Sequence, residues 1–129
     1  MINQISIRLR PMPSPRPRVY NNRGVMSARY TEHKDTIRRH CKSFNKMEGE
    51  VKATIYFHFK RSKTSHKNKY PMPTGDVDNL SKSVLDALEG IAYNEDRQVT
   101  ELVVKKGYSD YDMIEIRIED INPHKRKGG

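Results

Sequence analysis

Asp76, Asp78 and Asp96 are the residues of this chain whose type and spacing point to chemistry. Asp76 and Asp78 flank Val77, so in an extended segment both carboxylates leave the same face, because strand side chains alternate with period two. Two bare carboxylates about 4 Å apart repel by about 4 kcal/mol at an effective dielectric near 20, so the pair needs positive charge close by. A divalent cation supplies it, and oxygen-only donors suit a hard ion such as magnesium. Asp76, Asp78 and Asp96 therefore read as a candidate metal-binding trio. Each acid also has a plain structural reading: Asp78 as a helix cap, Asp76 as a turn residue after Gly75, Asp96 as a solvated loop acid. Spacing alone leaves both readings open. Lys82 follows Asp78 at i+4, on the same side of a helix. It either pairs with Asp78 or Asp86 or steadies charge during a reaction.

A helix must position these groups. Leu80, Val84, Leu85, Leu88 and Ile91 fall on one stripe of 3.6-residue period, which predicts a helix starting near Asp78 or Asn79 and stopping between residues 90 and 94. Asp86 and Glu89 lie on that helix and are assigned to structure, Asp86 through its spacing from Lys82. Asn79 is a candidate for ordering the groups behind the metal ligands.

The neighbouring stretches alternate in the manner of strands. Ile5, Ile7 and Leu9 predict a strand over residues 3–10. Val51, Ala53, Ile55, Phe57 and Phe59 predict the clearest strand of the chain, with these five residues in the core. Val99, Leu102, Val103 and Val104 predict a strand over 98–106 at a central or interface position, followed by a turn over 107–112. Ile114, Ile116 and Ile118 predict a last strand over 113–121, antiparallel to its neighbour. Tyr30, Ile37, Cys41 and Phe44 recur at helical spacing, predicting a first helix over 27–44 whose basic residues are a solvated face or, secondarily, a DNA-facing one. Asn21, Asn22, Arg23 and Gly24 form a turn signature between Val19-Tyr20 and Val25-Met26, predicting a small hairpin.

Pro11, Pro13, Pro15 and Pro17 forbid helix and give an extended segment that displays Arg16 and Arg18, either for bidentate phosphate contacts or as a solvated linker. Residues 61–74 form a flexible basic loop carrying Arg61, Lys63, Lys67 and Lys69 straight into the acidic stretch, and 122–129 form a basic tail. Cations beside a metal site draw a phosphodiester backbone toward it.

A net charge of +9 and a pI near 9.7 point to polyanions, nucleic acid first. The 129 residues set one domain with a modest core, and with only 34% hydrophobic residues part of the apolar surface is expected to be covered by a partner subunit. The single cysteine, Cys41, cannot form an internal disulfide and reads as a small core residue. His33, His40, His58, His66 and His124 lack ligand spacing and read as surface or packing residues. No apolar run reaches the length of a membrane span or signal core, so a cytoplasmic protein is expected.

The run Asp76-Val77-Asp78-Asn79-Leu80-Ser81-Lys82, then Leu85-Asp86-Ala87-Leu88, then Glu95-Asp96-Arg97-Gln98-Val99, resembles the signature of the RusA-like Holliday junction resolvases, small endonucleases of bacteria and their phages. The proline- and arginine-rich start, residues 11–19, is similar to theirs as well. The resemblance implies that Asp76, Asp78 and Asp96 hold the metal, that Lys82 acts with them in catalysis, and that the protein is a homodimer. A two-fold dimer suits a four-way junction, which offers two equivalent strands.

The element order predicts an α+β domain spanning 1–129: two layers, a mixed and mostly antiparallel sheet of about four strands with two helices on one face, plus an N-terminal hairpin. The expected function is Mg2+-dependent resolution of four-way DNA junctions by paired nicks, with Mn2+ able to substitute and no small-molecule cofactor or membrane involved. The rival readings are a non-catalytic basic module that binds nucleic acid, and a nuclease for other branches such as flaps.

Overall fold

The computed structural model describes residues 1–15, 19–20, 23–24, 28–61 and 74–121. Strand β1 spans Ile2–Ile7, and β2 (Val19–Tyr20) pairs antiparallel with β3 (Arg23–Gly24): a hairpin forms as expected, but Arg23 and Gly24, read as part of its turn, are its second strand, and Val25 and Met26 lie outside the described residues. Helix α1 spans Ala28–His40, β4 Val51–Lys60, α2 Val77–Leu88, β5 Val99–Ser109 and β6 Met113–Asp120. A 3-10 turn, Asp96–Gln98, leads into β5.

The main sheet has the order β1-β6-β4-β5, with β1 and β4 antiparallel to β6 and β4 parallel to β5. The α+β class, the mixed and mostly antiparallel sheet and the two helices are as expected. In β4 the five alternating residues Val51 to Phe59 are buried, while Lys52, Thr54, Tyr56 and His58 on the other face are half-buried. The buried face meets Ile37 of α1 and Cys41 just after it, Leu80, Val84, Ala87 and Leu88 of α2, and Ile114, Ile116 and Ile118 of β6 in one core. Truncating such a residue, Leu80→Ala for example, costs about 2–5 kcal/mol. Cys41 has no exposed surface, and burial pushes its thiol up to about 11, so it is an inert core residue.

Several details differ from expectation, among them the end of α2, which stops at Leu88 rather than between residues 90 and 94 because the chain turns at Gly90. β6 does not pair with β5: it lies between β1 and β4, because its three buried isoleucines need covered neighbours on both sides, which an edge position beside β5 would not give. β5 is accordingly an edge strand rather than a central one, with Leu102 and Val103 exposed. It runs on to Ser109 because β4 supplies ladder partners as far as Lys60, opposite Ser109. β1 stops at Ile7, opposite Ile114, since β6 begins at Met113 and leaves residues 8–10 without a ladder. α1 ends at His40, where the Cys41 N–H is shared between the Ile37 and Arg38 carbonyls and the Phe44 N–H closes a tight turn on the Cys41 carbonyl.

Among the described residues no helix is long and apolar enough to cross a membrane. Arg16, Arg18, Lys63, Lys67, Lys69, the tail 122–129 and the loop between Arg61 and Thr74 lie outside the described residues.

Candidate functional site

α2 carries acid at both of its ends. At its start, Gly75 takes φ +107, a left-handed conformation that favours glycine, and a Cβ there would press on Pro13 at 3.3 Å. Lys106 of β5 donates from Nζ to the Gly75 carbonyl at 2.7 Å, and the Ser14 N–H donates to the Asn79 carbonyl at 2.9 Å. The proline segment and β5 thus fix the turn from both sides. Asp76 is the N-cap residue, with extended backbone, and its carbonyl accepts the Leu80 N–H at 3.0 Å, yet its side chain makes no capping hydrogen bond. Asp78 lies inside the first turn. Neither exposed carboxylate has a hydrogen-bond or ion-pair partner among the described residues, so capping does not account for them.

At the far end, Asp86, Glu89 and Asp96 each place one carboxylate oxygen within 4.8 Å of the others. This is the one such group of three His, Cys, Asp or Glu side chains among the described residues. Local structure dictates it. α2 stops at Leu88, and Gly90 turns the chain at φ +82 while the Gly90 N–H donates to the Tyr93 carbonyl at 2.7 Å. Tyr93 is buried, and its hydroxyl donates to the Leu85 carbonyl at 2.6 Å, tying the returning chain to the helix. The Asp96 N–H then donates to Glu89 Oε1 at 3.3 Å. Gln98 locks the 3-10 turn: its Oε1 accepts the Asn94 and Glu95 N–H groups, and its Nε2 donates to the Met47 and Gly49 carbonyls at 2.9 Å each. Arg38 of α1 donates to the Ala87 carbonyl at 2.9 Å and the Glu89 carbonyl at 3.2 Å, placing a cation on the negative end of the helix dipole.

The field of this cluster registers on Tyr93. Burial raises its phenol above the usual range first, and the charges of Glu89, Asp96 and Asp86 raise it further. Lys82 Nζ lies 4.0 Å from Asp86 Oδ2, so of its two expected partners it meets Asp86.

Asp76 and Asp78 are therefore not brought together with Asp96 in a single chain. Asp78 and Asp86 are eight residues apart on α2, about 12 Å of helix rise, whereas oxygens sharing a magnesium ion lie within about 4 Å of one another. Asp96 instead joins Asp86 and Glu89, which the sequence reading had assigned to structure. Their i,i+3 spacing across the end of α2, with Glu89 as its C-cap residue, was the available signal. Lys106 was missed because it reads only as the end of a strand. Arg61 is exposed, with its guanidinium 4.4 Å over the Tyr108 ring. Because β4 and β5 run parallel, it lies toward the same end of the sheet as Lys106 and Gly75. The described histidines pack rather than group: His58 Nε2 is 2.7 Å from Glu115 Oε2, His40 Nδ1 is 2.9 Å from the Thr36 carbonyl, and His33 is buried in α1.

A basic α+β domain that mounts carboxylates on both ends of one helix has the parts of a hydrolytic enzyme acting on polyanionic substrate. Residues 8–119 match the family described as "Endodeoxyribonuclease RusA", and the chain belongs to that family of phosphodiester hydrolases. It is also 40% identical over 52 residues to "Uncharacterized protein YqaN" of Bacillus subtilis (strain 168). That stretch is 40% of this chain and spans 37% of the relative's length.

Proposed function

We propose that this protein is a magnesium-dependent endodeoxyribonuclease that resolves four-way DNA junctions by paired nicks, working as a homodimer on recombining DNA in the bacterial cytoplasm. Membership of the RusA family, with oxygens of Asp86, Glu89 and Asp96 within 4.8 Å of one another, carries this reading. The cluster fits a hard divalent ion: its donors are all carboxylate oxygens, and their combined charge already burdens Tyr93. Such an ion, when bound, supplies an acidic water and neutralising charge. The chain's own groups do the rest. The carboxylates hold and orient, Lys82 stands beside Asp86 to meet developing negative charge, and Arg61 and Lys106 make the other end of α2 attractive to phosphate.

A second copy completes the site. β5 is an eleven-residue edge strand with Leu102 44% and Val103 37% exposed, and Val77 at the start of α2 is 39% exposed. A long apolar edge invites pairing. β5 runs from the Asp96 end of the molecule to the Lys106–Gly75 end. Two copies paired antiparallel along β5 about a two-fold axis set the Asp96 end of each beside the Gly75 end of the other. Asp76 and Asp78 of one copy then face Asp86, Glu89 and Asp96 of the second, and the expected trio closes between chains.

The test is cleavage of an end-labelled synthetic four-way junction beside a flap and a linear duplex, with and without Mg2+ or Mn2+. Symmetric paired nicks in the junction, dependent on the ion, are expected. If about 6 phosphates are contacted, junction affinity falls with log salt at a slope near −5. Binding without nicks identifies a basic binding module instead, and equal cutting of flaps identifies a general branch nuclease.

A further inference from the structure

A cavity of about 380 Å3 lies between the segment that follows β1 and the first turns of α1. That volume is within the range of small-ligand pockets, about 300–1,000 Å3. Its walls combine apolar and polar character. Leu9, Pro11 and Met12 supply one side, and His33 and Thr36 of α1 the other, with Arg29 and Glu32 also lining it. Of these, Arg29 and Glu32 are exposed, which places them at the rim.

His33 is the informative residue. It is 4% exposed, and its Nε2 has no hydrogen-bond partner. A buried polar atom left unpaired costs stability and is rare without a reason. Burial also pushes the imidazole down to about 4, so near neutral pH the ring is uncharged and offers a hydrogen-bonding nitrogen rather than a cation. Thr36 is already engaged, donating to the Glu32 carbonyl at 2.9 Å and lying 3.1 Å from Arg39 Nη2, which leaves the buried His33 Nε2 as the unpaired polar atom of this wall.

The cavity stands beside the start of α2. Pro13, one of its lining residues, is the residue a Gly75 Cβ would touch, and Ser14 next to it is hydrogen-bonded to the carbonyl of Asn79. A ligand here is therefore a close neighbour of Asp76 and Asp78. Apolar walls, one uncharged hydrogen-bonding nitrogen, a rim carboxylate and a rim guanidinium are the features that receive a nucleobase with its phosphate outside.

We infer that this cavity is a nucleotide subsite, which takes one unstacked base of the bound DNA against His33 while Arg29 holds the adjoining phosphate. The inference rests on the DNA-cleaving reading above. Base pairs at a branch point are the least costly to open, so the enzyme's own substrate supplies such a nucleotide.

The experiment places 2-aminopurine singly at each position around the crossover of a synthetic junction and follows its fluorescence on adding the protein with Ca2+ in place of Mg2+. Four proteins are compared: wild type, His33→Phe, Thr36→Met and Arg29→Ala. Wild type is expected to brighten one position several-fold. His33→Phe and Thr36→Met, one removing the nitrogen and the other narrowing the cavity, are expected to abolish that signal while the junction is still bound. Arg29→Ala is expected to weaken it. His33→Phe should melt no lower than wild type, since it removes an unpaired polar atom. Junction binding and Mg2+-dependent nicking by wild type are scored in parallel, so a protein that neither binds nor cuts fails the functional reading itself. A protein that binds and cuts with no position brightened, or with brightening that survives both His33→Phe and Thr36→Met, overturns the subsite.

Discussion

The two ends of α2 carry similar side chains in opposite settings. At the start, Asp76 and Asp78 are exposed and unpaired among the described residues, on a turn gripped through its backbone by Lys106 and Ser14. At the finish, Asp86, Glu89 and Asp96 converge under a lattice made by Tyr93, Gln98 and Arg38. The positive end of the helix dipole favours the first pair of acids, whereas the negative end opposes the second group, which therefore needs a counter-charge more. The helix between the two groups is too long for one ion to join them within a single chain.

The largest effects should separate catalysis from folding. Asp76→Asn and Asp96→Asn are each expected to lower the cleavage rate about a thousandfold, roughly 4 kcal/mol of lost transition-state stabilisation, with junction affinity and urea midpoint almost unchanged. Single-turnover cleavage and denaturant melts measure both. If only the Asp86–Glu89–Asp96 end matters, Asp76→Asn will cut like wild type and the comparison between the ends collapses.

Acid should act on the flank of the first end through His33. Its pKa in the folded protein lies near 4, below the ordinary 6.5, so the unfolded chain binds more protons between those values. Stability from the neutral buried ring is fully present above about pH 6.5 and is lost as pH falls toward 4, by up to about 3 kcal/mol. Thermal melts across that range should show a steep fall in wild type and a shallower one in His33→Phe. Parallel curves would remove His33 as the cause.

Leu102→Lys probes the proposed pairing of two copies along β5. The loss of two exposed leucines at a two-fold contact should weaken self-association about a hundredfold, read by sedimentation velocity, and reduce cleavage at low protein concentration. The smallest change belongs to Arg38→Met, which frees the carbonyls at the finish of α2 and should cost about 1 kcal/mol in a urea melt.

Much of this was legible from residue order. The alternation of Val51 to Phe59 set β4, and the Leu80, Val84, Leu88 stripe set the buried face of α2. Both signals are local and repeat with the period of the backbone. Strand order was less accessible: the placement of β6 between β1 and β4 depends on which strands can share its isoleucines, a non-local choice that no window of sequence contains. Asp76, Asp78 and Asp96 stand out by type and spacing, but the group of acids that the chain itself brings together does not. Asp96 was matched with Asp76 and Asp78 by motif, whereas the turn built by Gly90, Tyr93 and Gln98 carries it to Glu89. The backbone roles of Lys106 and Arg38 left no trace in any pattern, because a carbonyl accepts from whichever cation the fold brings near.

Subunit mixing tests the closure between chains most directly. Asp76→Asn and Asp96→Asn proteins, each inactive alone, are unfolded together, refolded as a mixture and assayed on the labelled junction with Mg2+. A mixed dimer whose sites form between chains has one site with both aspartates intact, so nicking should return to about a quarter of the wild-type rate. No recovery, from mixtures shown by sedimentation to contain dimers, would place all the acids of each site in one chain and contradict the account.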